Sequence, residues 1–306
     1  MSVAGLALHP FTAPRDLPEA LGLLAERAAR SEKTVLLAGG TDWFVERHVA
    51  PPETEGKLPL VVDVSRLEGL RRISLGGDTL GGDTLAGNTL RVGGAVTYLE
   101  LRKDARVAAR CPLLAAMARD VGALQIQARG TLAGNLASGS PAADGVCALA
   151  ALDATLLLRS VRGARRIPLA GFYTGYRKSV LAPDELIEAI EIALPPAGSP
   201  FSWRKVGTRQ AQAISKVALA AVAVVESGRC KRLGLGMASV APTVAFLPAT
   251  RALGLSRPLA EITPADLERA VLADIAPIDD IRSTAAYRRH VAVALVTRFF
   301  EGLRGG

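Results

Sequence analysis

The sequence predicts an α+β protein that is divided into two domains. Two glycine-rich segments, 36–43 and 129–144, lie between apolar runs in the first half of the chain. The proline-rich stretch 195–200 then interrupts the pattern, and three β-rich runs and two amphipathic helices follow it. Strands that are grouped before helices in this way are typical of an α+β domain.

The amino-terminal unit contains three short elements whose hydrophobic periodicity predicts their type. They are a helix over 17–28 with Asp16 as its N-cap, a strand over 34–37 and a short helix over 43–48. The strand runs directly into a Gly-Gly turn. The polar stretch 50–56 follows, and it predicts a subdomain boundary near residue 56.

The next unit alternates apolar runs with turn residues as far as the proline-rich stretch. The runs predict strands over 60–64, 89–93, 154–159 and 186–194, and helices over 98–108, 112–121 and 146–152. Residues 75–89 repeat Asp or Asn beside glycine every five residues, which predicts a hairpin tip or an enlarged loop. A calcium-binding β-roll would need a longer repeat and more copies.

The carboxy-terminal domain is predicted to be a three-stranded antiparallel sheet with helices on one face. Its strands cover 201–206, 217–225 and 232–240, and its helices cover 264–273 and 284–303. The predicted domains are therefore 1–195, with subdomains 1–56 and 57–195, and 200–306.

Composition and charge are those of a soluble globular chain that is long enough for two cores. Of 306 residues, 49% are hydrophobic and 22% are charged. The net charge of +8 comes from basic residues that occur singly or in pairs, so nucleic acid is not predicted as a partner. The longest apolar run, 217–225, has nine residues and is too short to span a membrane.

Cysteine and histidine usage argues against a metal centre on this chain. Cys111, Cys147 and Cys230 are too far apart for a Cys-x-x-Cys unit, and the three histidines do not cluster. We therefore predict no metal ligand and no catalytic acid–base group. The odd cysteine count, without a signal peptide, predicts reduced thiols in the cytoplasm.

The two glycine-rich segments suit a phosphate-bearing ligand. Segment 129–144 carries three glycines, a threonine, an asparagine and two serines, and a loop of this composition can bring its backbone close to a ligand and offer it amide groups. In segment 36–43, two glycines precede Thr41 and Asp42, so the turn can form a nest of amide donors. Neither segment is a Walker P-loop or a Rossmann fingerprint. A turn-rich connection between buried elements is the alternative interpretation.

Eight motifs along the chain lead to a family resemblance. They are 38–42, 131–135, 140–144, 175–178, 205–209, 214–216, 236–243 and 287–290. Together they resemble the FAD-binding (medium) subunit of the molybdenum hydroxylases, the xanthine dehydrogenase and carbon monoxide dehydrogenase family. The resemblance covers nearly the whole chain, and the stretch 131–144 is its most specific part.

The resemblance implies a two-subdomain FAD-binding domain of the vanillyl-alcohol-oxidase/PCMH type, followed by a carboxy-terminal flavoprotein domain. Both glycine segments would hold FAD between the subdomains, and the carboxy-terminal domain would cover part of the cofactor. The cofactor-binding residues that the resemblance implies are Leu36, Leu37, Ala38, Gly39, Gly40, Thr41, Asp42, Trp43, Thr131, Leu132, Ala133, Gly134, Asn135, Asp144, Ile187 and Lys205.

The resemblance also implies an oxidoreductase subunit that works within a larger complex. It would take electrons from a partner iron–sulfur subunit, beside a molybdenum-cofactor subunit, and pass them through FAD to NAD or another acceptor. A cytoplasmic heterotrimer is the expected working unit. The alternatives are a self-contained FAD-dependent oxidoreductase of the same fold class and a nucleotide-binding protein without redox turnover. No histidine or cysteine is placed for covalent attachment, so bound FAD is expected to be noncovalent.

Three of the implied contacts have an alternative role in the fold. Asp144 could cap the helix that starts near residue 146, Ile187 could be a core residue, and Lys205 could be a solvated surface lysine. We expect Gly40 and Gly134 to bring their backbone close to the cofactor.

Two positions depart from the pattern of the family. Val121 stands where xanthine dehydrogenases commonly carry an aromatic residue near the flavin, and Gln212 stands where an acidic residue is frequent. Both changes alter the expected neighbourhood of the flavin, so the identity of the electron acceptor stays open.

Overall fold

The structure is a computed structural model that describes residues 9–49, 58–76, 79–80, 83–84 and 87–305. The predicted polar break at 50–56, with its subdomain boundary near residue 56, lies outside the described residues. Parts of the 75–89 repeat also lie outside them.

A three-stranded parallel sheet opens the chain. Its elements are β1 (Phe11–Thr12), α1 (Leu17–Ala29), β2 (Thr34–Leu37), α2 (Trp43–Val49) and β3 (Leu60–Asp63), and the strand order is β1-β3-β2. Asp16 caps α1 by accepting a hydrogen bond from the Glu19 amide at 2.9 Å, as the sequence predicts. The apolar stripe of α1 packs against β3, where Val62 is fully buried. The predicted helix, strand and short helix of this unit are confirmed, and the strand that the sequence placed at the start of the next unit, 60–64, lies in this sheet as β3.

A five-stranded antiparallel sheet with helices on one face forms the next unit. Its elements are β4 (Ile73–Leu75), β5 (Thr79–Leu80), β6 (Asp83–Thr84), β7 (Thr89–Gly93), α3 (Tyr98–Lys103), α4 (Ala105–Arg110), α5 (Pro112–Asp120), α6 (Leu124–Gln127), α7 (Leu132–Ser138), α8 (Asp144–Ala151), β8 (Thr155–Ser160), β9 (Gly163–Pro168), β10 (Tyr173–Gly175), β11 (Lys178–Ser179) and β12 (Leu186–Ala193). The strand order is β4-β7-β12-β8-β9. The predicted strands are present, and β9 and the β10–β11 pair are additions that the sequence patterns did not reveal.

One predicted helix of this unit is divided in the structure, and the predicted repeat contains paired strands. The predicted helix over 98–108 is split at Asp104, because its carboxylate accepts the Arg106 and Val107 amides and starts a new helix, α4. The repeat contains an antiparallel pair of strands, β5 and β6, with Thr79 opposite Thr84. The hairpin prediction for the repeat is therefore confirmed.

The carboxy-terminal part contains the predicted three-stranded antiparallel sheet. Its elements are β13 (Phe201–Val206), β14 (Val217–Glu226), β15 (Arg229–Ala238), α9 (Pro248–Ser256), α10 (Pro264–Asp274) and α11 (Ala285–Arg304), and the strand order is β13-β14-β15. Three helices cover one face of this sheet, and α9 is the one that the sequence did not predict. The α+β fold class is confirmed.

The second face of the carboxy-terminal sheet packs on α8. Alternate residues of β14, such as Ala218 and Ala220, belong to the same core as α8, whereas Leu219 belongs to the core under the carboxy-terminal helices. The approach is so close that a side chain on Gly236 of β15 would overlap the carbonyl oxygen of Cys147. The two halves of the chain therefore share a continuous apolar core at α8.

The helices give no sign of a membrane span. Within the part of the chain that the structure describes, no helix combines the length and the apolar character needed to cross a bilayer.

Candidate cofactor-binding site

The two glycine segments lie in direct backbone contact. A side chain on Gly39 would overlap the carbonyl group of Arg129 and the Cα of Gly130. The Tyr98 amide donates a hydrogen bond to the Gly130 carbonyl at 2.9 Å and holds the second segment against α3. Only glycine fits at position 39, because the space that a Cβ would need is occupied by backbone.

The first segment turns sharply from β2 into α2. Gly40 has φ +72°, a backbone conformation that favours glycine, and a Cβ there would lie 2.6 Å from the Phe44 ring. The amide of Phe44 donates to the Gly40 carbonyl at 3.0 Å, and that of Glu46 donates to the Asp42 carbonyl at 2.9 Å. The turn therefore ends as the first turn of a helix.

The second segment is not a loop throughout. Residues 132–138 form helix α7, and Thr131 is its N-cap, with Oγ1 accepting the Gly134 amide at 2.9 Å. The helix ends at Gly139, where φ is +61°. The loop interpretation is wrong for these residues, because the Thr131 cap outweighs the low helix propensity of a single glycine.

Helix α7 has a buried face and an exposed face. Leu132, Ala133 and Leu136 are buried in the main core, whereas Gly134 is exposed and Asn135 is partly buried. The Asn135 side chain accepts a hydrogen bond from the Gly145 amide at 3.0 Å, and it thereby ties α7 to the start of α8.

Asp144 and Lys205 form a buried ion pair at the seam between the two halves of the chain. Lys205 Nζ lies 2.5 Å from Asp144 Oδ2, and the two side chains are only 9% and 10% exposed. The ammonium group also donates to the Asp120 carbonyl at 2.8 Å, and Ser215 Oγ donates to Asp144 Oδ1 at 2.7 Å. The interpretation of Lys205 as a solvated surface lysine is therefore wrong.

The capping role considered for Asp144 is also wrong. Asp144 is the first residue of α8 and Ala143 precedes it as the N-cap, without a side-chain cap. Burial raises the pKa of Asp144, while the neighbouring Lys205 ammonium and the Ser215 hydroxyl oppose that shift. Because the Lys205 ammonium lies at hydrogen-bond distance, the Asp144 carboxylate and Lys205 form a buried charge pair across the seam.

Further polar residues extend this network into the carboxy-terminal sheet and α11. Ser239 Oγ donates to the Ser215 carbonyl at 2.8 Å, and Arg288 donates to the Ser239 carbonyl at 2.8 Å. Arg288 also pairs with Asp280 at 2.6 Å. Sequence reasoning did not select Ser215, Ser239 or Arg288 as site residues. Their positions within the motifs 214–216, 236–243 and 287–290 were the signal that could have found them.

The β10–β11 hairpin contacts the second glycine segment and the helix α2 that follows the first segment. Tyr173 Oη donates to the Leu136 carbonyl at 2.9 Å, beside α7. Arg177 Nη1 lies 2.7 Å from Glu46 Oε1 of α2. The hairpin thereby joins α2 to α7.

Ile187 lies apart from the ion pair. Its side chain is buried in the main core together with Leu132 and Leu136, as expected of a core residue on β12. The structure thus brings segment 36–43 against segment 129–144 and Asp144 against Lys205, while Ile187 contributes to the core behind α7.

The hydroxyl of Tyr98 is buried beside these elements without a hydrogen-bond partner among the described residues. A side chain on Gly145 would lie 2.6 Å from this hydroxyl and 2.7 Å from Asn135 Oδ1, so the phenol points to the junction of α7 and α8. Burial, and then the charges of Asp144 and Asp42, raise the pKa of Tyr98 well above its usual value. The phenol is therefore a neutral donor at this junction.

The cysteines lie in the core, and one histidine contacts the first glycine segment. Cys111, Cys147 and Cys230 are all buried, and burial raises the pKa of the Cys111 thiol to about 11. His9 packs edge-on against Trp43, with 5.3 Å between ring centroids. In the described ranges, no three His, Cys, Asp or Glu side chains converge as a metal site would require.

Fold and site together define a class of protein. Two α+β halves share one core, and two glycine segments meet beside a buried ion pair at the seam. Exposed backbone at a glycine turn next to fixed polar side chains is the arrangement of a binding site for an organic cofactor that bears phosphate.

Comparison with known families identifies which class this is. The model of the FAD binding domain in molybdopterin dehydrogenase matches residues 6–195, and that of the CO dehydrogenase flavoprotein C-terminal domain matches residues 202–303. The chain belongs to the family of FAD-binding subunits of the molybdopterin dehydrogenases. It is an oxidoreductase subunit, and FAD is the cofactor of this family.

Individual relatives agree with the family match. The xanthine dehydrogenase FAD-binding subunit of Escherichia coli O157:H7 is 30% identical over 90% of this chain and 89% of its own length. The carbon monoxide dehydrogenase medium chain of Hydrogenophaga pseudoflava is 26% identical over 94% of both chains. A solved carbon monoxide dehydrogenase structure from Hydrogenophaga pseudoflava superposes with a TM-score of 0.82, at 25% identity over 95% of both chains.

Proposed function

We propose that this chain holds FAD noncovalently where the two glycine segments meet, and that it is the electron-transfer subunit of a heteromeric molybdenum hydroxylase. The observation that carries the proposal is the contact between Gly39 and the backbone of Arg129, together with the Asp144–Lys205 pair at the end of the second segment. This contact brings together two distant parts of the chain, each with accessible backbone, at the edge of the shared core.

The residues around the contact between the two glycine segments fit FAD. A Gly-Gly turn and the first turn of α7 present backbone amides, and a hydroxyl lies at Thr41, as an anionic pyrophosphate requires. Lys205 brings a positive charge that Asp144 orients, and the Tyr98 hydroxyl is a donor without a described partner. When bound, FAD supplies the redox chemistry, and the protein supplies position and electrostatics.

The proposed contacts are those that the resemblance implied. They are Leu36, Leu37, Ala38, Gly39, Gly40, Thr41, Asp42, Trp43, Thr131, Leu132, Ala133, Gly134, Asn135, Asp144, Ile187 and Lys205. Buried members of this set, such as Leu132 and Ala133, would act through their backbone. Ile187 would contribute as part of the wall behind α7.

The proposed partners are an iron–sulfur subunit and a molybdenum-cofactor subunit. The three cysteines of the chain are buried and far apart in sequence, so a cluster has to come from another chain. We propose a cytoplasmic heterotrimer, with NAD or another carrier as the electron acceptor. Val121 and Gln212 differ from the xanthine dehydrogenase pattern near the flavin, and for this reason the acceptor is the part of the proposal to measure first.

The proposed domain limits follow the sequence. The FAD-binding domain would cover 1–195, with a subdomain boundary near residue 56, and the carboxy-terminal domain would cover 200–306. Limited proteolysis tests this division, since cuts should concentrate in the stretch 195–200 and near residue 56.

The experiment that tests the function starts from the purified chain. Acid precipitation should release FAD into the supernatant, and the FAD-loaded chain should oxidise NADH with an artificial dye but should not oxidise purines, aldehydes or other organic substrates. Substrate oxidation should appear only with the iron–sulfur and molybdenum subunits added. Flavin retained on the precipitate would contradict noncovalent binding, and substrate turnover by the single chain would favour a self-contained oxidoreductase.

A further inference from the structure

An arginine-lined cavity lies on the outer face of the five-stranded sheet. Its volume is about 380 Å³, and it is bounded by the sheet, the start of α1 at Leu17, and Gly69. None of its lining residues belongs to either glycine segment or to the Asp144–Lys205 pair. It is therefore separate from the proposed FAD site.

The alternation of the strands explains why charged side chains gather there. On β7, Leu90 and Val92 enter the main core, so Arg91 between them points to the opposite face. On β8, Leu156 and Leu158 enter the core in the same way, and Arg159 lies on the outer side. The inner face of the sheet is apolar, and the outer face carries the arginines.

Two of these arginines are fixed by one buried carboxylate. Glu188 accepts from Arg91 Nη2 at 2.8 Å and from Arg159 Nε at 2.5 Å. The Glu188 and Arg91 side chains are 11% and 12% exposed, and that of Arg159 is 35% exposed. A single carboxylate shared between two guanidinium groups leaves a net positive charge at the floor of the cavity, in a place with little water to screen it.

Two further arginines complete the lining. Arg166 of β9 lies opposite Leu157 in the sheet and pairs with Glu191 at 3.0 Å. The Arg72 side chain is exposed and makes no hydrogen bond or ion pair with any residue that the structure describes. The cavity lining contains four arginines and one glutamate, Glu188. When Glu191 is added to this set, positive charges still exceed negative charges by two. Like charges held this close repel one another unless an anion lies between them.

We propose that this cavity binds a small anion with two or more negative charges, namely a diphosphate or a phosphate ester. Guanidinium groups recognise phosphate oxygens through paired, charge-assisted hydrogen bonds, and Arg91 and Arg159 are held in place by Glu188 before any ligand arrives. The volume lies in the range of small-molecule sites, roughly 300–1,000 Å³, and exceeds what a single inorganic phosphate fills.

A bound anion would join two parts of the fold. Leu17 and Gly69 stand on the side of the parallel sheet and α1, whereas Arg91, Arg159 and Arg166 stand on the antiparallel sheet. Occupancy should therefore stabilise the packing of these two units, and binding should raise the thermal midpoint of the chain.

The test uses the FAD-loaded chain, so that the glycine segments are already occupied. Inorganic pyrophosphate and adenosine monophosphate are titrated separately by calorimetry at fixed ionic strength. We expect saturable one-to-one binding of at least one of them, with pyrophosphate alone indicating a free diphosphate and the nucleotide alone indicating a phosphate ester. Arg72→Glu should weaken that binding by roughly tenfold or more, because it reverses a charge at the rim.

Arg229→Glu is the matched control. It makes the same charge change at an exposed arginine of β15 that does not line the cavity, and it should alter affinity by less than about twofold. Arg72→Met is a second variant in case charge reversal disturbs folding, and amide exchange should report protection of β7 and β8 on binding. Absence of saturable binding, equal losses in the Arg72→Glu and Arg229→Glu variants, or protection only at the glycine segments would each overturn the proposal.

Discussion

The first glycine segment and the exposed face of α7 in the second segment use glycine for different reasons. In segment 36–43 the glycines are required by the fold itself, since Gly39 abuts the backbone of Arg129 and Gly40 adopts φ +72°. In segment 129–144, Gly134 lies on the exposed face of a helix, and only the Thr131 hydroxyl comes within 4 Å of an added Cβ. A glycine that packing does not require, on an exposed face, is the better indicator of a ligand.

The expectation that Gly40 and Gly134 act in the same way is therefore modified. A Cβ at Gly40 would meet the Phe44 ring, a contact within the first segment, whereas a Cβ at Gly134 would meet mainly its own helix cap at 3.1 Å. Substitutions can separate the two roles, because folding stability and FAD affinity are measured independently.

Gly39→Ala should have the largest effect. The added methyl group would overlap backbone atoms of the second segment, so we expect a loss of roughly 4 kcal/mol or more in the free energy of unfolding, with loss of FAD. Urea unfolding monitored by circular dichroism measures this. Gly22→Ala, at a helical position of α1 with open space around it, is the control and should be neutral or stabilising. A fully stable Gly39→Ala variant would show that the segments do not need to touch.

Asp144→Asn, at the end of the second segment, should come next. It leaves the buried Lys205 ammonium without its carboxylate, and we expect a loss of about 3 kcal/mol in the free energy of unfolding. Asp153→Asn is the control, because Asp153 pairs with Arg251 at 2.9 Å while 40% exposed, and should cost at most about 1 kcal/mol. Adding Lys205→Met to Asp144→Asn should restore part of the stability but not FAD binding. Equal losses at both aspartates would argue against a special role for the seam.

Thr131→Val tests the helix that replaces the expected loop. Removing the hydroxyl leaves the Gly134 amide without its cap, and we expect a loss of about 1–2 kcal/mol in the free energy of unfolding and weaker FAD binding. Thr131→Ser keeps the hydroxyl and should remain close to the parent in both measurements. If the valine variant matched the serine variant, the cap would not be what forms α7.

Gly134→Ala should have the smallest effect on stability. Alanine favours a helix and the contact with Thr131 opposes it, so the FAD-free chain should change by less than about 1 kcal/mol. FAD affinity should nevertheless fall, since a methyl group would then cover backbone on the exposed face of α7. Flavin content and the dissociation constant for FAD are the readouts, and Gly302→Ala on the open face of α11 is the control, with unchanged flavin. Normal FAD affinity in Gly134→Ala would place the cofactor elsewhere.

Local patterns in the sequence determined most of the secondary structure. Asp16 before an apolar stripe is sufficient to predict α1, and the Gly-Gly turn after an apolar run is sufficient to place the first segment at the end of β2. The three carboxy-terminal strands were predicted by their apolar runs in the same way. These features depend on residues a few positions apart, so hydrogen bonds and periodicity within a short stretch are enough to define them.

Tertiary structure alone decided how the site is assembled. Asp144 and Lys205 are 61 residues apart, and apart from the family motif 205–209 no local pattern distinguishes Lys205 from a solvated lysine on a strand. Helix α7, the break at Asp104 and the position of α8 between two sheets also escaped the sequence patterns. Buried charge pairs and shared cores form only when distant elements pack together and exclude water. The free energy of this packing depends on residues far apart in the chain and is not encoded in any single stretch.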